Sequence, residues 1–185
     1  MKLCISCFLF ILIAISGKSQ DSTTTLSRFE DFISKPGKVI KPEMMIAGQY
    51  GPYKVLKYIA TDITTGMCMY AVRVDNNYSF DFPIELIDPK AVYIDSVDLD
   101  TFIATAESFL RTSDSAQLPF NTKFSYLTST DVQLSCYFTK LTDNWSFEID
   151  KVYQKLRTHI SGTSLVLNKK RMQQLVNLLR QAKSG

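Results

Sequence analysis

Cys68-Met69-Tyr70-Ala71-Val72-Arg73-Val74 runs into Asp75-Asn76-Asn77-Tyr78-Ser79-Phe80-Asp81-Phe82, and the second half of the chain holds a counterpart. There Val132-Gln133-Leu134-Ser135-Cys136-Tyr137-Phe138-Thr139 is followed by Asp143-Asn144-Trp145-Ser146-Phe147-Glu148-Ile149. Cys68, Tyr70, Val72 and Val74 fall on one face of a strand, opposite Met69, Ala71 and Arg73. Val132, Leu134, Cys136 and Phe138 alternate in the same way with Gln133, Ser135, Tyr137 and Thr139. A period of two is the pattern of a strand with one face in a core. Each Asp-Asn pair turns the chain into an aromatic-Ser-Phe strand.

A helix closes each half. Asp98 and Asp100 open the first, where carboxylates meet unpaired N–H groups and the helix dipole. Its stripe is Phe102, Ile103, Ala106, Phe109 and Leu110, the spacing of one apolar helix face. Asn168 caps the last helix, whose stripe is Met172, Leu175, Val176, Leu178 and Leu179. With the cysteine strands set on each other, Ile103, Ala106, Phe109 and Leu110 overlay Met172, Leu175, Leu178 and Leu179. The sequence thus predicts an internal duplication in an α+β protein: two tandem antiparallel β units, each closed by a C-terminal helix. The units span 29–112 and 120–185, with the polar stretch 113–119 as linker.

Outward from these units, Tyr53, Val55, Lys57 and Ile59 alternate with Lys54, Leu56, Tyr58 and Ala60 within a β region from Met44 to Leu86. Ala91–Ile94, Phe124–Leu127 and Leu165–Leu167 read as further short strands. At the start, Leu26, Phe29, Phe32 and Ile33 have helical spacing but run into the Pro36-Gly37 turn signal. A hairpin joining 29–34 to 38–41 competes with a short helix there, and the hairpin is preferred.

The N-terminus has the form of an export signal: Lys2, an apolar stretch from Ile5 to Ile15, then Gly17 and Ser19 placed for cleavage before Gln20. That stretch is well short of the about 20 residues that span a bilayer. Residues 1–19 are therefore a signal peptide, 20–28 a flexible leader, and the product is periplasmic or extracellular with no stable membrane anchor after cleavage. Loss of Lys2 and Lys18, and of no acid, takes the net charge from +3 to +1. Cys68 and Cys136 are then the remaining cysteines, in a compartment where disulfides persist.

The chain resembles a set of small exported bacterial proteins of unknown function. The shared features are a Ser-Lys-x-Gly-Lys turn, here Ser34-Lys35-Pro36-Gly37-Lys38, a helix with an acidic start, here Asp98–Leu110, and a final helix. The resemblance covers about residues 29–182 and implies no activity.

Composition excludes several functions. At 45% hydrophobic and 21% charged, the chain holds enough apolar mass for a core, which rules out a disordered or fibrous protein. With 21 Lys+Arg against 18 Asp+Glu it lacks the basic excess of a nucleic-acid binder, and no glycine-rich phosphate loop signals a cofactor. His159 is the single imidazole, so no metal site is expected. Asp95, Asp98 and Asp100 miss the calcium-loop pattern, because Asp100 and Ala106 stand where Gly and Glu are needed.

Three groups remain as candidates. Cys68 and Cys136 form either a disulfide about a pseudo-twofold axis or two buried thiols. Tyr50, Tyr53 and Tyr58 cluster around Gly48 and Gly51-Pro52, where exposed rings stack on sugars or grip a partner. Lys169, Lys170 and Arg171 open the last helix against its dipole, which suits a bound anion as well as a solvated face. The expectation is a non-enzymatic module that binds a protein, glycan or small ligand, with a homodimer as a further form. The alternative is a secreted hydrolase with a Ser or Cys nucleophile and His159 as base. Intact-mass analysis of the exported product is expected to show Gln20 as its first residue; a product retaining Met1 overturns the cleaved-signal reading.

Overall fold

A computed structural model describes residues 28–76, 90–115, 122–139, 144–153, 158–159 and 165–185. The signal and leader segments and the Tyr78–Phe82 strand expected from sequence lie outside these residues, apart from Arg28. The first unit opens with helix α1 (Arg28–Ser34), then strands β1 (Ile40–Tyr50), β2 (Tyr53–Asp62), β3 (Cys68–Asn76) and β4 (Lys90–Asp95), and ends in helix α2 (Ser96–Ser115). The second has β5 (Lys123–Leu127), β6 (Val132–Thr139), β7 (Asn144–Tyr153), β8 (Thr158–His159), β9 (Leu165–Asn168) and helix α3 (Lys169–Ser184). Both sheets are antiparallel meanders: β1-β2-β3-β4 in one, and β5-β6-β7 in the other with β8 and β9 sharing the free edge of β7. The α+β architecture of two sheets, each followed by a helix, is the one the alternation predicts.

The duplication holds in topology, but its register differs from the cysteine alignment. In each unit the last strand passes directly into the helix, so Asp95 corresponds to Asn168. That anchor sets Leu99 on Met172, Phe102 on Leu175, Ile103 on Val176, and Ala106 on Leu179, and all eight are buried. Asp95 pairs with Ala71 and Asn168 with Ser146, so β3 corresponds to β7 and Val72 to Phe147. One strand further out, Lys57 stands opposite Val72 and Cys136 opposite Phe147. At the outer strand, Met45 pairs with Lys57 and Phe124 with Cys136. Cys136 on the second strand of its sheet thus matches Lys57, and not Cys68 on the third strand of the other sheet.

One core serves both units. Val55, Val72, Val74 and Ile94 from the first sheet join Leu134, Phe147, Ile149 and Leu167 from the second, around the buried stripes of α2 and α3. The helices lie against each other, and α3 also packs on β1 and β2 of the first sheet while α2 reaches β6 of the second. Their pairing is antiparallel: Asp100 meets Lys183 at 2.5 Å, Glu107 meets Arg180, and Asp114 meets Lys169. Such exposed pairs contribute about 0–1 kcal/mol each, so they fix alignment more than stability. Gly48 lets α3 approach: a Cβ there would stand 2.5 Å from Leu178 Cδ2.

The structure corrects two boundaries. Residues 28–34 form a helix, not one arm of a hairpin. Phe29 and Phe32 bury on the outer face of the first sheet over Ala60 and Ala71, whose small side chains leave room. The Asp95 carboxylate accepts from the backbone N–H of Arg28 at 2.7 Å and of Phe29 at 3.4 Å, capping the helix across the fold. Pro36 and Gly37 do make the expected turn, with Gly37 at φ 84°. The stretch read as linker also begins later, because α2 continues through Ser113–Ser115.

Asp95→Ala is expected to cost about 1–2 kcal/mol, as for a lost helix cap. Amide exchange should quicken across Arg28–Ser34 before it does at Val72 and Val74. Unchanged protection of α1 would refute the capping role.

Candidate functional site

The candidate tyrosines do not form one exposed cluster. Tyr50 and Tyr53 close the β1–β2 hairpin as a cross-strand pair. Tyr53 is buried, and its hydroxyl donates to the Val166 carbonyl at 2.9 Å, tying the two units together. Tyr58 points to the opposite face by strand alternation. It lies half-buried there, 6.4 Å from Phe29 and 6.0 Å from Tyr93 between ring centroids. Arg73 is held between these rings, donating to the Tyr58 hydroxyl at 3.4 Å and the Tyr93 hydroxyl at 3.2 Å, and pairing with Asp75. Burial pushes the Tyr93 hydroxyl above its usual range, an effect that Arg73 partly opposes. The cluster anchors α1 on the sheet, and its positive charge already has a carboxylate.

The basic start of α3 is also occupied. Lys169 pairs with Asp114, and the Arg171 backbone N–H donates to the capping Asn168 side chain at 2.9 Å. The Arg171 side chain is half-buried and engaged, which leaves Lys170 exposed. Asp98 is held by the second unit, accepting from Ser129 Oγ at 2.8 Å and Thr130 Oγ1 at 3.2 Å. Among the described residues no group of three or more His, Cys, Asp or Glu side chains is placed to hold a metal ion.

Of the two alternatives, a disulfide or two buried thiols, the structure has free thiols, of which only one is buried. Cys68 begins β3 and is exposed, whereas Cys136 is wholly buried in the shared core. The pseudo-symmetry explains why they do not meet, since they occupy different strands of their sheets. Burial pushes the Cys136 thiol up to about 12, which keeps it protonated and a poor nucleophile. His159 lies opposite Val152, and Cys136 lies opposite Phe147 on the other edge of β7. Five residues of strand separate those positions along β7, about 16 Å, beyond the reach of a hydrogen bond between backbones so placed.

What the tyrosine, cation and cysteine patterns missed is the outer strand of the first sheet. Met44, Met45 and Ile46 are 55%, 45% and 62% exposed, three consecutive apolar residues in water. Beside them a cavity of about 250 Å³ opens between β1 and the end of α3. Met45, Ala47 and Ala182 supply apolar walls, and Lys57 and Gln181 supply polar ones. A sequence signal existed in the unbroken Met44-Met45-Ile46 run, since a half-buried strand should alternate there.

In a chain truncated to begin at Gln20, a thiol reagent of the dithionitrobenzoate type is expected to titrate Cys68 in the native state and Cys136 only after unfolding. Rapid native reaction of both would contradict the burial of Cys136.

No protein-family model matches the chain and none of the curated proteins does, so what it binds or does rests on the chemistry of its own residues.

Proposed function

We propose that this is an exported, non-enzymatic binding module, acting in the periplasm or outside the cell, whose contact site is the groove between β1 and α3. One observation carries the reading: an open cavity of mixed apolar and polar lining, at a strand edge where Met44, Met45 and Ile46 leave three large side chains in water. Exposed apolar area carries a cost of about 25 cal/mol per Å², which a ligand seated on it recovers. A pocket with apolar walls and a few polar groups is the usual form of a small-molecule site. Placement of the candidate catalytic groups points the same way. Cys136 is sealed in the core, and its strand position is remote from that of His159.

Nile red, a neutral dye that brightens in apolar sites, tests the groove. The folded wild-type chain is expected to enhance its emission, and Met45→Lys to weaken binding about fivefold or more, with the melting temperature little changed. Absence of enhancement in wild type, or equal binding by Met45→Lys, overturns the site.

A further inference from the structure

The two units treat equivalent positions on their inner faces differently. In the second unit Phe124 packs against Phe109 of α2, with ring centroids 5.9 Å apart, and stacks on Trp145 at 6.5 Å and 16°. Cys136 is wholly buried on the strand beside them. Strand register and the Asp95–Asn168 anchor give each of these residues a counterpart in the first unit: Met45 for Phe124, Ala182 for Phe109, Tyr70 for Trp145 and Lys57 for Cys136. Met45, Ala182 and Lys57 are three of the cavity's walls, which Ile46, Ala47, Gln181 and Gly185 complete. The first unit thus lacks the ring of Phe109 and that of Phe124, and has an ammonium group where the second has a thiol. The open space of about 250 Å³ stands where the second unit keeps its aromatic plug.

From this asymmetry we infer that the cavity takes an apolar, ring-sized group bearing a carboxylate, which restores in the first unit the packing that aromatic side chains supply in the second. The inference rests on the groove being a binding site and names the class of its ligand. Size fits: an apolar cavity of about 150 Å³ suffices for benzene. Charge fits as well. Lys57 Nζ stands 4.9 Å from the centre of the Tyr70 ring, and no carboxylate among the described residues pairs with it. Glu43, the acid two residues before Met45, is held by Lys41 at 2.6 Å. A half-buried cation attracts an anion more strongly than a fully solvated one does.

The edge itself argues for a small ligand over an added strand. Val39 O accepts from Ile63 N, so odd-numbered residues of early β1 bond toward β2 and Pro42 presents its missing N–H to the open edge. The register then shifts between Ile46 and Gly48, a bulge that breaks the edge again. Only Glu43 to Ile46 lie between these two interruptions, too short a ladder for a stable added strand.

Phenylacetate and its uncharged analogue 2-phenylethanol test the assignment on the full chain by ligand titration followed in two-dimensional NMR. Both are expected to perturb Met45 and Ala182, with phenylacetate the tighter. Lys57→Gln should weaken phenylacetate about tenfold and leave 2-phenylethanol unchanged, a difference of about 1.4 kcal/mol. Ala182→Phe, which places the second unit's ring in the first, should abolish binding of both; a melting curve checks that this variant folds, and Lys57→Gln serves if it does not. Equal affinity of wild type and Lys57→Gln for phenylacetate overturns the anionic ligand class. If Nile red binds but neither phenyl compound does, the ligand class falls and the groove stands; if none binds, both fall.

Discussion

Neither sheet of this protein can bury its apolar face alone, and the antiparallel pair of helices between the units resolves that constraint for both. A four-stranded sheet has one face to cover, and a single amphipathic helix of 16 or 20 residues covers only part of it. Here α3 lies on β1 and β2 as well as on its own β7 and β9, while α2 touches β3, β4 and β6. The outcome is one core in which Leu99 and Phe102 of one unit share neighbours with Leu175 and Leu179 of the other. The three interhelical ion pairs hold acids of α2 against bases of α3, so they select the antiparallel alignment that this shared core requires.

That arrangement explains why Lys169, at the basic start of α3, is committed to a partner within the fold. Lys169 opposes the dipole of its own helix but lies at the C-terminal end of α2, where a cation is favoured, and Asp114 completes the pair. The same logic relocates the acidic start of α2. Asp98 serves as an anchor for the Ser129 and Thr130 loop of the second unit, and Asp95 caps α1 on the far side of the sheet. Charges that look local in the sequence are partners across the fold.

Much of the architecture was legible because it rests on short-range periodicity. Alternation at Val132–Phe138, the stripe from Phe102 to Leu110 and the Asn168 cap each specify an element by themselves. The N-terminal segment was not, since Phe29 and Phe32 suit a helix or a strand, and a carboxylate 66 residues away decides between them. The duplication was readable as a pattern but was aligned on the wrong strands. Cysteine is conspicuous in a sequence, yet burial at one position constrains side-chain volume and not identity. Hydrophobic registers such as Leu99 with Met172 and Phe102 with Leu175 are quieter and more faithful. The cavity was invisible for the same reason: it is defined by what Ala182 lacks relative to Phe109, a comparison that needs the correct register first.

A repeated unit also separates two demands that a single sheet must meet at once. Truncating a buried aromatic ring costs about 3–5 kcal/mol when the space stays empty and sealed. In the second unit that ring is present, and Phe109, Phe124 and Trp145 close the sheet end with an aromatic stack. In the first unit the corresponding end is open to solvent along β1, so water or a ligand fills what a side chain does not. Lys57 follows from the same opening, because an ammonium group is tolerated at the margin of a core only where its head reaches water or an anion. Cys136, its counterpart, sits in a closed interior where such a charge would be excluded. Closed packing in one copy and an open, cationic margin in the other thus follow together from the rings that Phe109 and Phe124 have and that Ala182 and Met45 do not.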